Sequence, residues 1–207
     1  MSKGKRLIIS TIVIGSLVLC ILFILKIGRI PTILVEGPKN KVELEDSREL
    51  RIPIRVKNLP KGEFPATSMS ISFDRRKLEF VEVDDGTMEV YDNYDKNISD
   101  EVNYKIPNWT YNVDAANGDG IINTMYLDTT AGKNAYSKDG YDKGGKDILV
   151  NLVFKLKGSA LQGEKLNIKI EDATLAKVNG EVDKTSYSTK DGYQKLAVKS
   201  GEIVVAK

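Results

Sequence analysis

The feature that most constrains this chain is a run of nineteen uncharged, mostly apolar residues at positions 7–25. At about 1.5 Å of rise per residue, a helix of this length spans about 28 Å, close to the hydrocarbon thickness of a bilayer. Lys3, Lys5 and Arg6 precede the run, and basic residues beside a membrane helix favour the cytoplasmic side. The sequence therefore predicts a single-pass protein of the cell membrane with its following domain outside the cell.

Two alternatives would explain the same run. A cleavable signal peptide also starts with basic residues, but its apolar part is usually shorter and ends in a small-x-small cleavage site, which residues 24–29 lack. A lipoprotein would use Cys20, but Leu19 stands where such a site needs a small residue. We therefore predict four regions: a cytoplasmic basic N-terminus at 1–6, a transmembrane signal anchor at 7–27, a short tether at 28–32 and a domain at 33–207.

Composition limits the chemistry available to the domain. The chain has no histidine, and its single cysteine lies in the apolar run, so nucleophile systems and zinc sites that need imidazole or thiolate are excluded. Carboxylate pairs of the glycosidase kind remain available, but a solvated surface also explains the 29 acidic residues. Beyond residue 29, 26 basic residues face those 29 acidic ones, which argues against nucleic-acid binding. We predict no enzyme, no catalytic residue, no metal and no cofactor.

Beyond the apolar run, short stretches alternate between apolar and polar residues. Leu50, Ile52, Ile54 and Val56 alternate with polar or basic residues and with Pro53, a pattern typical of a strand with one buried face. No stretch shows helical periodicity, so we predict an all-β, two-sheet sandwich of eight or nine strands, with Phe73 and Phe154 in its core. Further strands are predicted near 69–73, 78–83, 104–113, 121–128, 148–157, 166–176 and 202–205.

Two long polar segments, 84–103 and 129–146, are predicted to be loops. The sequence Asn117-Gly118-Asp119-Gly120 is similar to part of a calcium loop, but the first and twelfth positions of such a loop would be Ala115 and Tyr126. A turn is therefore favoured, and a weak calcium site at Asp114 and Asp119 is the alternative.

Other patterns allow a functional and a structural interpretation. Asn97-Ile98-Ser99 and Asn108-Trp109-Thr110 match the glycosylation sequon, which has meaning only in a host that uses this modification. Five aromatic residues could form a sugar-binding platform, although aromatic residues on strands usually belong to the core: Trp109, Tyr111, Tyr126, Tyr136 and Tyr141.

Taken in order, several stretches of the domain resemble a cohesin domain, the module with which scaffoldins bind dockerins. The similarity runs from about residue 33 to the C-terminus, with an insertion near 91–108. It is carried by residues 52–62, 70–80, 134–140, 153–160 and 201–205.

The resemblance implies a nine-stranded jelly-roll sandwich without enzymatic activity, preceded here by the transmembrane helix. It also implies that a dockerin lies across one outer sheet face, where cohesins of type I carry an Asn and an Asp two residues apart on the third strand. The corresponding positions here are Ala66 and Ser68, so both side chains are absent. In the loop after the sixth strand, a family glutamate corresponds to Thr129, and Gly132 matches the family.

Alternation along two strands predicts which residues face this partner. If Met69, Ile71 and Phe73 point inward, Ser68 and Ser70 face out. If Met125 and Leu127 point inward on the next strand, the residues between them face out. The predicted partner-binding set is Ala66, Ser68, Ser70, Thr124, Tyr126, Asp128, Thr129 and Gly132.

We therefore expect a membrane-anchored, extracellular module that binds a dockerin-bearing protein, such as a carbohydrate-active enzyme. A carbohydrate-binding module is the alternative, and exposure of Trp109, Tyr111 and Tyr126 in one flat row would favour a polysaccharide as the partner. A structural surface or adhesin domain is a third possibility.

Overall fold

The computed structural model describes residues 30–43, 49–142, 146–177 and 186–206. The predicted membrane segment at 7–27 lies outside these residues. Within the described part, no helix is both long enough and apolar enough to cross a bilayer. Residues 31–207 form one compact unit, and its described residues contain two large sheets, one small sheet and two short helices.

The first large sheet is antiparallel except at one edge, where its outermost strand runs parallel to its neighbour. The alternation predicted for residues 50–57 is confirmed, because Ile52, Ile54 and Val56 are fully buried. In spatial order, its strands are β14 (Ala197–Lys199), β1 (Thr32–Val35), β2 (Leu50–Lys57), β10 (Ile148–Leu156) and β5 (Leu78–Asp85).

The second large sheet carries the candidate site. Its longest strand is β11 (Lys165–Ala176). This strand pairs with β4 (Ala66–Phe73) along most of its length and with β15 (Gly201–Val204) near its start. In spatial order, the strands are β13 (Gln194–Lys195), β12 (Tyr187–Ser188), β11, β4 (Ala66–Phe73) and β8 (Ile121–Leu127), with β15 (Gly201–Val204) beside β11.

The two segments predicted to be loops are partly sheet. They pair with each other where Val90 lies opposite Tyr136, so the loop prediction for 84–103 and 129–146 is wrong at these positions. Two-residue strands are too short to show an alternating pattern. The small sheet contains β3 (Glu63–Phe64), β9 (Tyr136–Ser137), β6 (Val90–Tyr91) and β7 (Tyr104–Lys105), in this order.

The core lies between the inner faces of the two large sheets. Phe154 is fully buried and Phe73 is 7% exposed, and their rings meet edge to face with centroids 5.3 Å apart. Phe80 packs against Phe154 in the same way at 5.8 Å. Both predicted core residues are thus confirmed, as is the all-β sandwich. In the described part, nine strands have three or more residues and six have only two.

The strand predicted over 104–113 is confirmed only at Tyr104–Lys105, and it is wrong at Val113, where a helix begins. A helix, α1 (Val113–Asp119), begins where the Asn112 side chain accepts a hydrogen bond from the Ala115 amide, and ends at Gly120 with φ 76°. The Asn117 side chain bonds both the N–H and the carbonyl of Phe80, at 2.9 and 2.8 Å. The motif similar to a calcium loop therefore covers the edge of β5. The second helix is α2 (Lys138–Asp142).

Candidate partner-binding face

The outer face of β4 carries only small side chains. Thr67, Met69, Ile71 and Phe73 point into the sandwich and are buried, so the residues between them point outward. The predicted outward placement of three site residues is thus confirmed, and β4 forms the floor of a shallow valley. The outward residues are Ala66, Ser68, Ser70 and Ser72.

On β8 the predicted orientation is wrong. Thr124 and Tyr126 are 2% and 7% exposed, whereas Met125 and Leu127 are 41% and 55% exposed. Period-two alternation says which residues share a face but not which face is buried, and here both sets contain large apolar side chains. The outward set on β8 is Ile121, Asn123, Met125 and Leu127.

Specific contacts hold Thr124 and Tyr126 on the inner face of β8. The Thr124 hydroxyl donates to the carbonyl of Thr110 at 3.0 Å, and the Tyr126 hydroxyl donates to the carbonyl of Asn134. The Tyr126 ring meets that of Tyr136 edge to face at 5.4 Å. Burial, together with the nearby negative charge of Asp128, raises the pKa of Tyr126. Tyr126 is therefore a core residue and not a contact for a partner.

Asp128, also predicted to face a partner, organises the following loop. Its carboxylate accepts hydrogen bonds from the backbone amides of Thr130, Gly132 and Asn134, at 2.6, 2.8 and 3.2 Å. Burial works to raise the pKa of Asp128, but the hydrogen bonds outweigh it and the pKa is lowered. Gly132 is buried with φ 94°, so its role is also structural. Thr129 is exposed and remains available at the end of the face.

The outer face of β11, β4 and β8 contains an open depression of about 440 Å³. Its floor includes Ser68, Ser70 and Asn123, and it is bordered by Tyr111 and Asp172. Tyr111 is 38% exposed. The small side chains of β4 lie between the largely apolar outward side chains of β8 and the polar ones of β11. This arrangement suits a partner that makes both apolar contacts and hydrogen bonds.

The outer face of the other large sheet differs in charge. Arg55 forms ion pairs with Glu36 and Asp147, and Arg51 pairs with Asp84. A partner on that face would have to desolvate these paired charges, and charged residues are depleted in the centres of protein interfaces. The β11-β4-β8 face also carries ion pairs, but they lie on β11 and its neighbouring segments: Lys165–Glu202, Lys169–Glu171 and Lys190–Asp172. The outward side chains of β4 and β8 are uncharged, so the part of the face formed by these two strands is the better candidate for the centre of a protein interface.

The aromatic residues do not form a sugar-binding row. Tyr136 is 1% exposed, and Tyr126 is buried beside it. Trp109 is partly buried against the core and donates from Nε1 to the Tyr136 hydroxyl at 3.2 Å. Of the three residues whose exposure in one flat row would favour a polysaccharide partner, Trp109, Tyr111 and Tyr126, only Tyr111 is exposed, so this observation does not favour such a partner.

The family model described as "Cohesin domain" matches residues 41–196, which is most of the described domain. The chain belongs to the cohesin family. A search of curated protein sequences gave no match.

Solved cohesins share the fold at low sequence identity. The sixth cohesin of scaffoldin B from Acetivibrio cellulolyticus, solved in complex with a Cel5 dockerin mutant, has 18% identity and a TM-score of 0.56, covering 84% of this chain and 98% of that one. The OlpC cohesin from Clostridium thermocellum, also solved with a dockerin, has 16% identity and a TM-score of 0.57, covering 86% and 94%. A non-cellulosomal cohesin from Archaeoglobus fulgidus has 13% identity and a TM-score of 0.50, covering 86% and 92%.

Sequence reasoning missed several residues of this cohesin's outer face. On β8 the missed residues alternate with the predicted ones. The pattern therefore identified the strand, but it assigned the inward and outward residues the wrong way round. The sequence analysis assigned no faces on β11. Its register is irregular between Ile170 and Asp172, and because such a bulge interrupts strict alternation, the pattern alone does not place Asp172 on the outer face. The missed residues are Ile121, Asn123, Met125, Leu127 and Asp172.

Proposed function

We propose that this cohesin is a non-enzymatic binding module that captures a dockerin-bearing protein on the outer face of β11, β4 and β8. The observation that carries the proposal is the valley of small residues along β4, flanked by the exposed apolar side chains of Ile121, Met125 and Leu127. Two related cohesins were solved in complexes with dockerins, which supports a dockerin as the partner here.

This face offers a partner both apolar surface and hydrogen-bonding groups. Met125 and Leu127 are about half exposed, and burying apolar area yields about 25 cal/mol per Å². The serines of β4 leave room for a partner to approach closely and can exchange hydrogen bonds with it. Binding energy in such an interface is concentrated in a few large side chains that are surrounded by smaller groups, and Met125 is a large, exposed apolar side chain that lines the depression.

The cellular setting is also part of the proposal. Residues 7–27 anchor the protein in the cell membrane. The tether predicted at 28–32 is shorter, 28–30, because residues 31–207 form the compact unit, and this unit binds outside the cell. The apolar run at 7–25 and the preceding basic residues support this topology. A carbohydrate-active enzyme is the partner class that we propose, since a cohesin relative binds a Cel5 dockerin.

The test measures binding of the full chain, purified in mild detergent, to each dockerin domain encoded by the source organism. We expect at least one dockerin to bind in calorimetry with calcium present. Met125→Arg should then weaken binding by about 2 kcal/mol or more, about thirtyfold, because it replaces an apolar side chain of the depression with a bulky charge. Glu79→Arg, an exposed position on β5 of the other sheet, is the matched control and should bind normally.

Two outcomes would contradict the proposal. If no dockerin of the organism binds the parent protein, a dockerin is not the partner. If Glu79→Arg weakens binding and Met125→Arg does not, the partner occupies the other sheet.

A further inference from the structure

One row of the outer face is polar across three neighbouring strands. Ser70 on β4 lies opposite Asn123 on β8 and opposite Asp172 on β11. Adjacent strands are about 4.8 Å apart, so the backbones of Asn123 and Asp172 are separated by about 10 Å. All three residues line the same depression. In the next row, Ser68 lies between Thr174 and Met125, so the side facing β8 is apolar there.

Hydrogen bonds within this row determine what it can offer. The Ser70 hydroxyl donates to Oδ1 of Asn123 at 2.6 Å, which directs the amide nitrogen of Asn123 away from Ser70 as a donor. Asp172 accepts from the Thr189 hydroxyl at 2.6 Å and from Nζ of Lys190 at 2.9 Å. A carboxylate can accept about four hydrogen bonds, so Asp172 keeps accepting capacity towards the depression.

We propose that Asn123 and Asp172 are the polar recognition residues of this face. Asn123 donates to an acceptor of the partner, and Asp172 accepts from a hydroxyl, amide or cationic group. This inference rests on the proposed function and adds the chemistry of the partner: a donor and an acceptor about 10 Å apart, placed over a floor of serine. Family resemblance would put such contacts at Ala66 and Ser68 on the central strand. In this chain they lie on the two strands beside it.

The physical basis is the cost of leaving polar groups unpaired. Once a partner covers the depression, the Asn123 amide and the Asp172 carboxylate lose contact with water. A matching group on the partner restores their hydrogen bonds, whereas a partner without one leaves them buried and unsatisfied. Because Asp172 is charged, it should discriminate between partners more strongly than Asn123 does.

The test compares three variants of the full chain in detergent, using calorimetry with the dockerin of the source organism that binds the parent most tightly. Asp172→Asn keeps the size and one acceptor oxygen but removes the charge, and should weaken binding about tenfold. Asn123→Ala should weaken it about fivefold. Asn167→Ala, an exposed asparagine on β11 outside the depression, is the matched control and should bind as the parent does.

The outcomes separate this inference from the proposed function. If Met125→Arg abolishes binding while Asp172→Asn and Asn123→Ala bind like the parent, the module binds dockerin but recognition is apolar, and the inference is overturned. If no dockerin binds the parent, both fail. If Asp172→Asn also lowers the melting temperature, Lys190→Ala decides, because it leaves the carboxylate intact and removes a competing donor. It should bind equally or more tightly; tenfold weaker binding would overturn the role of Asp172.

Discussion

The assignment of faces on β8 predicts opposite effects for two neighbouring residues. Tyr126 is 7% exposed and Met125 is 41% exposed, although they are adjacent and both have large side chains. Tyr126→Ala should therefore strongly lower the free energy of unfolding. Met125→Ala should leave stability nearly unchanged and weaken partner binding.

The magnitude follows from the contacts of Tyr126. Its ring packs against Tyr136 and Trp109, with centroids 5.4 and 6.4 Å apart, and truncating a buried aromatic residue to alanine costs about 3–5 kcal/mol. Loss of the hydrogen bond to the Asn134 carbonyl adds about 1 kcal/mol. A total of about 4–6 kcal/mol corresponds to a drop of about 8–24 °C in melting temperature for a domain of this size. For Met125→Ala the expected change is within about 0.5 kcal/mol.

Thermal and urea unfolding of the two variants, followed by circular dichroism, measure these changes directly. Tyr126→Phe serves as a second control, since it keeps the ring and should lose only about 1 kcal/mol, the contribution of the hydroxyl. If Tyr126→Ala melts with the parent while Met125→Ala melts far below it, β8 has the opposite orientation. The assignment of Met125 and Leu127 to the outer face of β11, β4 and β8 would then be wrong.

Three further predictions concern other parts of the chain. Asn117→Ala should lower the free energy of unfolding in urea by about 2 kcal/mol, since two hydrogen bonds to the Phe80 backbone are lost. Added calcium should leave the melting temperature of the parent unchanged. A rise in melting temperature with calcium would instead support a calcium site at this motif. The pKa of Asp128 is lowered in the fold, so its stabilisation is present above the unfolded pKa of about 3.9 and is lost as the pH falls through the folded value. The stability difference between the parent and Asp128→Asn should therefore shrink in melts below about pH 4, and a constant difference would contradict this. Protease added to intact cells should digest residues 33–207, whereas a processed, freely secreted domain would contradict the predicted anchor.

The sequence by itself determined the class of fold and the inward residues of its regular strands. In β2 and β4, one set of alternating positions is clearly more apolar than the other, so burial could be read from the pattern. The same pattern puts Phe73, on β4, in the core. The ordered series of stretches similar to cohesins also identified the family that the comparison later matched over residues 41–196.

Only the tertiary structure decided the binding face in detail. Along β8 both alternating sets are partly apolar, and the choice between them depends on Tyr136, Trp109 and Asn134, which come from other segments. The role of Asn117 likewise depends on Phe80, 37 positions earlier in the chain. Local pattern encodes periodicity, but which side of a strand is buried and which polar groups are paired are set by contacts between segments distant in sequence.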